Sequence, residues 1–246
     1  MMVIIPAYNE EGSVGHVVRA VRRVLPEAPV VVVDDGSTDA TAKVARDAGA
    51  ELLRLPHHLG LGGAVQTGYR FAFEHGYDCV VRVDSDGQHN PDDIPTLLAK
   101  LHADEFDMVT GSRFLKPNGY QVQPLRRFGG LLFSLLLYPV LGKHITDPTS
   151  GFAAVNSRAL EVFSRSFPLE YPEIEALVVL QRKRLSFCEV PVKMFPRRAG
   201  RSTIGSTQAI YYMFRVLLGV LMNVIKYERR FHSSAPEPPP GRAPRG

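Results

Sequence analysis

The chain has 246 residues, of which 45% are hydrophobic, 22% charged and 9% aromatic, a composition typical of a folded domain with a full apolar core. This composition excludes a disulfide scaffold, a collagen and a wholly disordered chain. The net charge of +4 hides a division, because residues 1–112 carry −8 and residues 113–246 carry +12. The division favours a metal site that faces phosphate or a basic side that faces an anionic surface, with uneven solvated charge as the alternative.

Short β-branched runs alternate with helical patterns along the first hundred residues. Buried strands are predicted over 3–5, 30–33, 51–55, 80–83 and 108–110. Helices are predicted over 11–24, 40–48 and 64–75. This alternation predicts right-handed βαβ units in a mostly parallel sheet, whose ligands bind at the carboxyl ends of the strands.

The second half of the chain is less regular. It predicts a loop over 115–124, an apolar helix over 128–142, a strand over 152–156, a helix over 173–184 and a strand over 185–192. A basic loop over 197–206 precedes a last helix that ends near residue 230, and the Pro-rich tail is predicted to be disordered. We therefore expect a catalytic domain over 1–205, a terminal helix over 206–230 and a tail over 231–246.

Cysteine usage and hydropathy bear on the compartment. Cys79 and Cys188 lie far apart and outside any CxxC spacing, so we expect reduced thiols in a cytosolic protein without a signal peptide. No run reaches the roughly 18 apolar residues of a spanning helix, so a conventional membrane span is not expected.

Asp84 and Asp86 give the strongest local signal, directly after the fourth predicted strand. Side chains two residues apart in extended backbone share a face, and two adjacent carboxylates repel unless a cation joins them or one is protonated. Mg²⁺ and Mn²⁺ commonly bind through one or two carboxylates plus substrate phosphates, and Gln88 offers a further oxygen. A polar turn is the alternative, since Asp-Gly is common in turns.

Acidic and aromatic side chains also follow the first two predicted strands, in the segments PAYNEE from Pro6 and DDGSTD from Asp34. Tyr8 offers a face to a base or ribose. Glu10, Asp34 or Asp35 can accept hydrogen bonds from base N–H or ribose hydroxyl groups. Capping of the next helix by Ser37 or Thr38 is compatible with these roles.

Together these motifs carry a resemblance to a known family. The chain resembles family-2 glycosyltransferases, and particularly their polyprenyl-phosphate (dolichyl-phosphate) branch, through VIIPAYNEE, VVVDDGSTD, GLGGAVQTGYRFAFEHGYD, VDSDGQHNPDDI, GSRF, DPTSGF and RRAGRST. The resemblance extends over residues 3–227. It implies a Rossmann-like α/β fold of the nucleotide-sugar-binding A-type, with a mostly parallel central sheet flanked by helices.

The resemblance also implies a nucleotide-sugar pocket with a divalent cation. The residues that would line the nucleoside pocket are Pro6, Tyr8, Glu10 and Asp34 or Asp35. Asp84 would lie near the ribose and the metal, while Asp86 and Gln88 would hold the Mg²⁺ or Mn²⁺ that bridges the diphosphate.

Basic residues are implied on the acceptor side. Arg113 and Ser150 would lie near the acceptor phosphate, and Arg197 and Arg201 would close over the phosphates from a mobile loop. Thr203 stands where the branch often has lysine, which leaves the acting basic side chain open.

The chemistry of the acceptor decides whether a base is needed. A phosphate monoester is already anionic, whereas a hydroxyl acceptor needs a base, for which Glu173 and Glu175 are candidates. Both glutamates also suit the first turn of a helix. No paired zinc spacing is found among the histidines His57, His58, His89 and His144. The glycine run that begins at Gly60 does not match the GxGxxG pattern of dinucleotide-binding loops, because Val65 occupies the position of its third glycine.

The segment 210–225 is too apolar for an ordinary surface helix, and Lys226, Arg229 and Arg230 follow it. Basic residues beside an anionic leaflet contribute about 1 kcal/mol each, so we expect peripheral attachment to the inner face of the membrane. A core helix or a homodimer contact is the alternative.

The sequence thus predicts a cytoplasmic, metal-dependent, inverting glycosyltransferase that moves a hexosyl group from a UDP- or GDP-sugar to polyprenyl phosphate, as in cell-envelope assembly. A transferase with a sugar-hydroxyl acceptor is the nearest rival. A nucleotidyltransferase would normally carry a glycine-rich triphosphate loop near the first strand, and the segment PAYNEE that follows this strand is not such a loop. A nucleic-acid-binding module would interleave basic and aromatic residues, which this chain does not do.

Overall fold

The structure is a computed structural model that describes residues 1–103, 106–115, 134–135 and 137–195. Within these residues, seven strands form one sheet in the order β3-β2-β1-β4-β6-β5-β7. These strands are β1 Met2–Ala7, β2 Val30–Asp34, β3 Glu51–Arg54, β4 Cys79–Arg82, β5 Met108–Ser112, β6 Ala153–Asn156 and β7 Phe187–Pro191. The α-helices that the structure describes over their whole length are α1 Val14–Val24, α2 Thr41–Asp47, α3 Gly60–Glu74, α4 Ile94–Ala103, α5 Ser157–Arg165 and α6 Pro172–Arg182.

The predicted α/β class and mostly parallel sheet are confirmed. Strand β1 pairs in parallel with β2 and β4, β2 with β3, and β5 with β7. Strand β6 lies antiparallel between β4 and β5, a direction that was not predicted. The parallel arrangement brings the carboxyl ends of β1, β2 and β4 to one edge.

Helices cover both faces of the sheet, which explains why β1 and β2 are buried along their whole length. Val3 and Ile5 belong to the core on the face that α1 covers, whereas Ile4 contacts Gly68 of α3 on the other face. Strands buried on both faces read as continuous apolar runs rather than as alternating ones. That pattern made these strands recognisable in the sequence.

The glycines at the start of α3 allow close packing. A Cβ atom added to Gly62 would lie 2.4 Å from the Pro168 carbonyl oxygen and 2.5 Å from the Leu169 Cα. Only glycine therefore fits where α3 meets the segment before α6. The glycine run therefore serves helix packing, in agreement with its departure from the GxGxxG pattern of dinucleotide-binding loops.

Two helices, α4 and α5, were not predicted. Ile94, Leu97 and Leu101 of α4 are buried at helical spacing, but the prolines before and within its first turn obscured that pattern. The Asn156 side chain accepts a hydrogen bond from the Ala159 N–H at 3.1 Å and so caps α5.

Several predictions lie outside the described residues: the basic loop over 197–206, the terminal helix over 206–230 and the tail over 231–246. The same holds for most of the predicted loop over 115–124, while residues 137–141 of the predicted apolar helix are helical. None of the helices that the structure describes is long and apolar enough to cross a membrane.

Candidate functional site

A cleft of about 250 Å³ opens at the carboxyl ends of β1, β2 and β4. It is lined by Pro6, Ala7, Tyr8, Glu10, Asp35, His58, Leu61, Ala64, Asp84, Ser85 and Asp86. These residues come from separate segments of the chain, which the parallel strands bring together. The cleft therefore occupies the position at which ligands bind in such sheets.

Asp35 organises one wall of the cleft. Its carboxylate accepts hydrogen bonds from the Leu59 N–H at 2.7 Å and the Gly60 N–H at 2.9 Å, at the start of α3. The Nδ1 atom of His58 lies 2.8 Å from Asp35 Oδ2. The His58 ring stacks on Tyr8 with its centroid 3.9 Å away, and Tyr8 is 42% exposed. Asp35 thus holds His58 against Tyr8, and the two rings form an aromatic wall of the cleft. The sequence pattern around His58 does not predict this position.

Asp34 and Glu10 differ in their access to the cleft. Asp34 is fully buried and absent from the described residues that line the cleft. Its Oδ1 accepts from the Ser37 N–H at 3.0 Å, while Oδ2 lacks a hydrogen-bond partner in the described part of the chain and faces Arg54 Nε at 3.4 Å. Glu10 lines the cleft, and its Oε2 accepts from the Ser13 hydroxyl at 2.6 Å.

Ser37 and Thr38 join the loops that follow β1 and β2. The Ser37 hydroxyl oxygen accepts from the Asn9 N–H at 2.9 Å, and the Thr38 N–H donates to the Asn9 side-chain oxygen at 2.9 Å. Asp39 accepts the Thr41 N–H at 2.9 Å where α2 begins. The alternative that Ser37 or Thr38 caps this helix is wrong, because the residue at the cap position is Ala40, which makes no side-chain cap hydrogen bond.

Asp84 and Asp86 both line the cleft, but their environments differ. Asp84 Oδ1 accepts from Arg82 Nε at 3.2 Å and Nη2 at 3.1 Å. Burial is the strongest influence and raises the pKa of Asp84, but the Arg82, His89 and Arg113 charges and the Arg82 hydrogen bond together hold this pKa below the usual range of an aspartate. Asp86 Oδ1 accepts the Gln88 N–H at 3.0 Å. Gln88 is absent from the described residues that line the cleft, and its backbone orients Asp86.

Arg82 is a site residue that the sequence analysis missed. It is 3% exposed, and its Nη2 lies 2.7 Å from Glu173 Oε1 in the first turn of α6. Burial raises the pKa of the adjacent Tyr69 to about 12, so its phenol stays neutral beside this pair. An arginine inside an apolar strand is itself a signal, because a buried charge needs partners.

The DPTSG motif, residues 147–151, packs on the Asp84–Arg82 pair. A Cβ atom added to Gly151 would lie 2.5 Å from Asp84 Oδ2 and 2.6 Å from Arg82 Nη2. Real Cβ atoms do not approach other atoms so closely, so a side chain here would displace the carboxylate or the guanidinium. The motif therefore touches the edge of the cleft.

Arg113 is held at the other end of this motif. Its Nε and Nη2 each lie 2.6 Å from an oxygen of the Asp147 carboxylate, and Nη2 also donates to the Thr149 hydroxyl oxygen at 2.9 Å. The Ser150 hydroxyl donates to the Gly111 carbonyl at 2.6 Å. Neither Arg113 nor Ser150 is among the described residues that line the cleft, although the Arg113 charge contributes to the low pKa of Asp84.

Arg197 and Arg201 lie outside the described residues. Phe195, the last residue described before them, donates its N–H to the Gln88 carbonyl oxygen at 2.8 Å. The chain thus passes beside the Asp84–Gln88 loop shortly before Arg197.

The donor atoms in the cleft fit a cation that shares its ligands with a substrate. Within the portion of the chain that is described, no group of three or more His, Cys, Asp and Glu side chains is arranged to hold a metal. Asp84 and Asp86 nevertheless present two carboxylates to the cleft. Mg²⁺ usually binds through one or two carboxylates together with substrate phosphates and water. The set is thus suited to a cation that arrives with a diphosphate.

A family model described as "Glycosyl transferase family 2" matches residues 2–163. The UDP-N-acetylglucosamine–dolichyl-phosphate N-acetylglucosaminyltransferase of Methanococcus voltae is 33% identical over 211 residues, which cover 78% of this chain and 84% of that protein. The undecaprenyl-phosphate mannosyltransferase of Micrococcus luteus is 33% identical over 216 residues, or 82% and 86% of the two chains.

Solved structures share the fold. Glucosyl-3-phosphoglycerate synthase from Mycobacterium tuberculosis, in complex with Mn²⁺, UDP and phosphoglyceric acid, matches with a TM-score of 0.68 and 22% identity, over 90% of this chain and 77% of that one. The same enzyme with Mg²⁺ and UDP matches with a TM-score of 0.62 and 23% identity, over 81% and 72%. At this identity the likeness concerns the fold.

Proposed function

This chain belongs to glycosyl transferase family 2, and from that premise we propose that it transfers a hexosyl group from a UDP- or GDP-sugar to polyprenyl phosphate. One structural relationship carries the proposal: the DPTSG motif holds Arg113 through Asp147 and touches Asp84 through Gly151. The Arg113 guanidinium, which could bind an acceptor phosphate, is thereby connected through one short motif to the Asp84 carboxylate of the cleft. The names of the two relatives at 33% identity support a lipid-phosphate acceptor.

The nucleoside of the donor is proposed to bind at the wall formed by Tyr8 and His58. Tyr8 offers an exposed ring face for stacking. Pro6, Glu10 and Asp35 line the same cleft. Of the two adjacent aspartates, Asp35 is preferred over Asp34 because only Asp35 lines the cleft. Its bonds to the start of α3 fix its position before a ligand enters.

Asp84 and Asp86, which line the cleft, are the proposed metal ligands. A bound Mg²⁺ or Mn²⁺ would supply positive charge for the departing nucleoside diphosphate. Arg82 keeps Asp84 ionised, and the Gln88 N–H orients Asp86. Arg197 and Arg201 are proposed to add charge over the diphosphate, because the chain reaches them from the Phe195–Gln88 contact.

A phosphate acceptor dispenses with a general base. Its oxygen attacks C1 of the sugar as the bond from C1 to the diphosphate oxygen breaks, so one in-line displacement inverts the anomeric centre. Arg113, fixed by Asp147, would orient the attacking phosphate, with Ser150 beside it. Glu173, a candidate base for a hydroxyl acceptor, is instead paired with Arg82 at 2.7 Å, which disfavours that alternative.

Attachment to the inner face of an anionic membrane is proposed through segment 210–225 and the basic residues that follow it. This attachment would bring the protein to the surface that holds its lipid acceptor. Vesicle sedimentation with and without anionic lipid tests it. Equal binding to neutral and anionic vesicles would contradict the electrostatic part of the proposal.

The enzymatic test uses radiolabelled UDP- and GDP-sugars with a short polyprenyl phosphate and Mn²⁺ or Mg²⁺. One donor is expected to label the lipid phase and to release its nucleoside diphosphate in equal amount. Release of a nucleoside monophosphate would indicate transfer of a sugar phosphate and contradict the proposal. Label in a soluble sugar acceptor would favour the hydroxyl-acceptor rival.

A further inference from the structure

Glu189 of the edge strand β7 binds the turn that carries Asp147. Its Oε2 accepts from the Thr146 N–H at 2.6 Å and from the Thr146 hydroxyl at 3.0 Å. Its Oε1 accepts from the Asp147 N–H at 2.7 Å. Both oxygens of one carboxylate are therefore bound to successive residues of the turn. Hydrogen bonds to a charged acceptor are about twice as strong as neutral ones.

Asp147 passes this constraint to Arg113. Its fully buried carboxylate accepts from the Arg113 N–H at 3.1 Å as well as from two nitrogens of the guanidinium at 2.6 Å each. The backbone of Asp147 is thus fixed from one side by Glu189, while its side chain fixes Arg113 on the other. A guanidinium on a long, flexible side chain needs such a support to keep one orientation.

We propose that Glu189 is a positioning residue that orients Arg113 through the Thr146–Asp147 backbone, and so sets how well the acceptor phosphate is received. The step from Arg113 to the acceptor rests on the function proposed above. The step from Glu189 to Arg113 rests on geometry alone. The two steps can therefore be tested separately.

Asp107 provides a matched control. It is a buried carboxylate that accepts the Ser186 N–H at 2.7 Å, next to the start of the same strand β7. It also accepts from Asn156 Nδ2 at 3.0 Å and lies 3.2 Å from Arg158. Asp107 ties elements together as Glu189 does, but its partners do not lead to Arg113. A purely structural role for Glu189 predicts the same consequences for Glu189→Gln and Asp107→Asn.

The first measurement is steady-state transfer by the full chain. In Glu189→Gln one oxygen becomes an NH₂ group, which cannot accept from the backbone N–H that faces it. We expect the KM for polyprenyl phosphate to rise about tenfold, the loss of one charge-assisted bond, while the KM for the nucleotide sugar changes less than about twofold. Asp107→Asn is expected to leave both KM values near wild type. Equal effects of the two variants, or no change in Glu189→Gln, would overturn the positioning role.

The second measurement does not depend on activity. The Nε–H of Arg113 gives a proton–nitrogen resonance, assigned by its loss in Arg113→Lys, that reports its bond to Asp147. Glu189→Gln is expected to shift this resonance and Asp107→Asn to leave it in place. A shifted resonance in a chain that labels no polyprenyl phosphate would refute the proposed acceptor and leave the positioning role intact. An unshifted resonance would refute the positioning role.

Glu189→Asp provides a second variant if Glu189→Gln does not fold by circular dichroism. The shorter side chain keeps the charge but withdraws the oxygens from Thr146 and Asp147. The same two measurements and the same Asp107→Asn comparison then decide the outcome.

Discussion

Arg82 and Glu173, 91 residues apart in the chain, form an ion pair in which Nη2 lies 2.7 Å from Oε1. The same guanidinium nitrogen lies 3.1 Å from Asp84 Oδ1, so one buried cation joins the end of β4 to the start of α6. This arrangement holds the Asp84 carboxylate in place at the cleft. It also occupies Glu173, one of the two glutamates that are candidate bases for a hydroxyl acceptor.

Removal of the buried cation is expected to destabilise the fold. Arg82→Met leaves Asp84 and Glu173 without their partner, which should cost about 2–3 kcal/mol of unfolding free energy, a value discounted because Asp84 is 30% exposed. Urea unfolding followed by circular dichroism measures this cost. The double variant Arg82→Met/Glu173→Gln should recover part of it, and a single variant as stable as wild type would refute the role given to Arg82.

A methyl group at residue 151 is expected to disturb the cleft without unfolding the chain. In Gly151→Ala the new Cβ would stand 2.5 Å from Asp84 Oδ2, so the carboxylate must move. Calorimetric titration with UDP or GDP should show weaker nucleotide binding in Mn²⁺ and little change in EDTA. Unchanged affinity in Mn²⁺ would mean that Asp84 does not serve the metal.

Asp86 is expected to be required for metal-dependent transfer. Asp86→Asn keeps the shape of the side chain but removes its charge, and transfer should fall about 100-fold or more. Asp92→Asn is the control. Asp92 lies a few residues after Asp86 in the chain, and its exposed carboxylate pairs with Arg23. Similar losses in the two variants would argue against a specific role for Asp86, as would full wild-type activity in EDTA.

Tyr8 is expected to contribute to nucleotide binding by stacking. Stacking of a base on an aromatic ring is worth about 1–3 kcal/mol, so Tyr8→Ala should weaken UDP or GDP binding about fivefold to 150-fold, while Tyr8→Phe should retain most affinity. Tyr138 stacks on His144 with a centroid distance of 4.4 Å and serves as a matched aromatic pair elsewhere. Nucleotide affinity should survive Tyr138→Ala, and equal losses in both alanine variants would contradict the assignment.

The strands around the cleft were predictable because their burial on both faces leaves continuous β-branched runs, as in β1 and β2. The same pattern predicts that Tyr8, Asp84 and Asp86, with Asp34 or Asp35, lie at one edge, and of the two adjacent aspartates the structure places Asp35 in the cleft. The direction of β6 was not predictable, since it depends on which strands it joins and not on its own four residues.

Other features depend on contacts between distant segments. Nothing local distinguishes Asp34 from Asp35; the difference arises because the start of α3 binds Asp35. Glu189 lies outside the motifs that carry the family resemblance, and its partners are about 40 residues away in the chain. Arg82 was open to prediction as a charge in a buried strand, but its pairing with Glu173 required the fold.

The central claim is that the nucleophile is a lipid phosphate. Its most direct test compares a short polyprenyl phosphate with the polyprenol of the same length, using the nucleotide sugar that the chain accepts and Mn²⁺. We expect label to enter the lipid phase with the phosphate and to stay in the aqueous phase with the alcohol, because the role proposed for Arg113 is to bind a phosphate and Glu173 is paired with Arg82. Comparable labelling of the polyprenol, or labelling of neither lipid by any donor, would contradict the account.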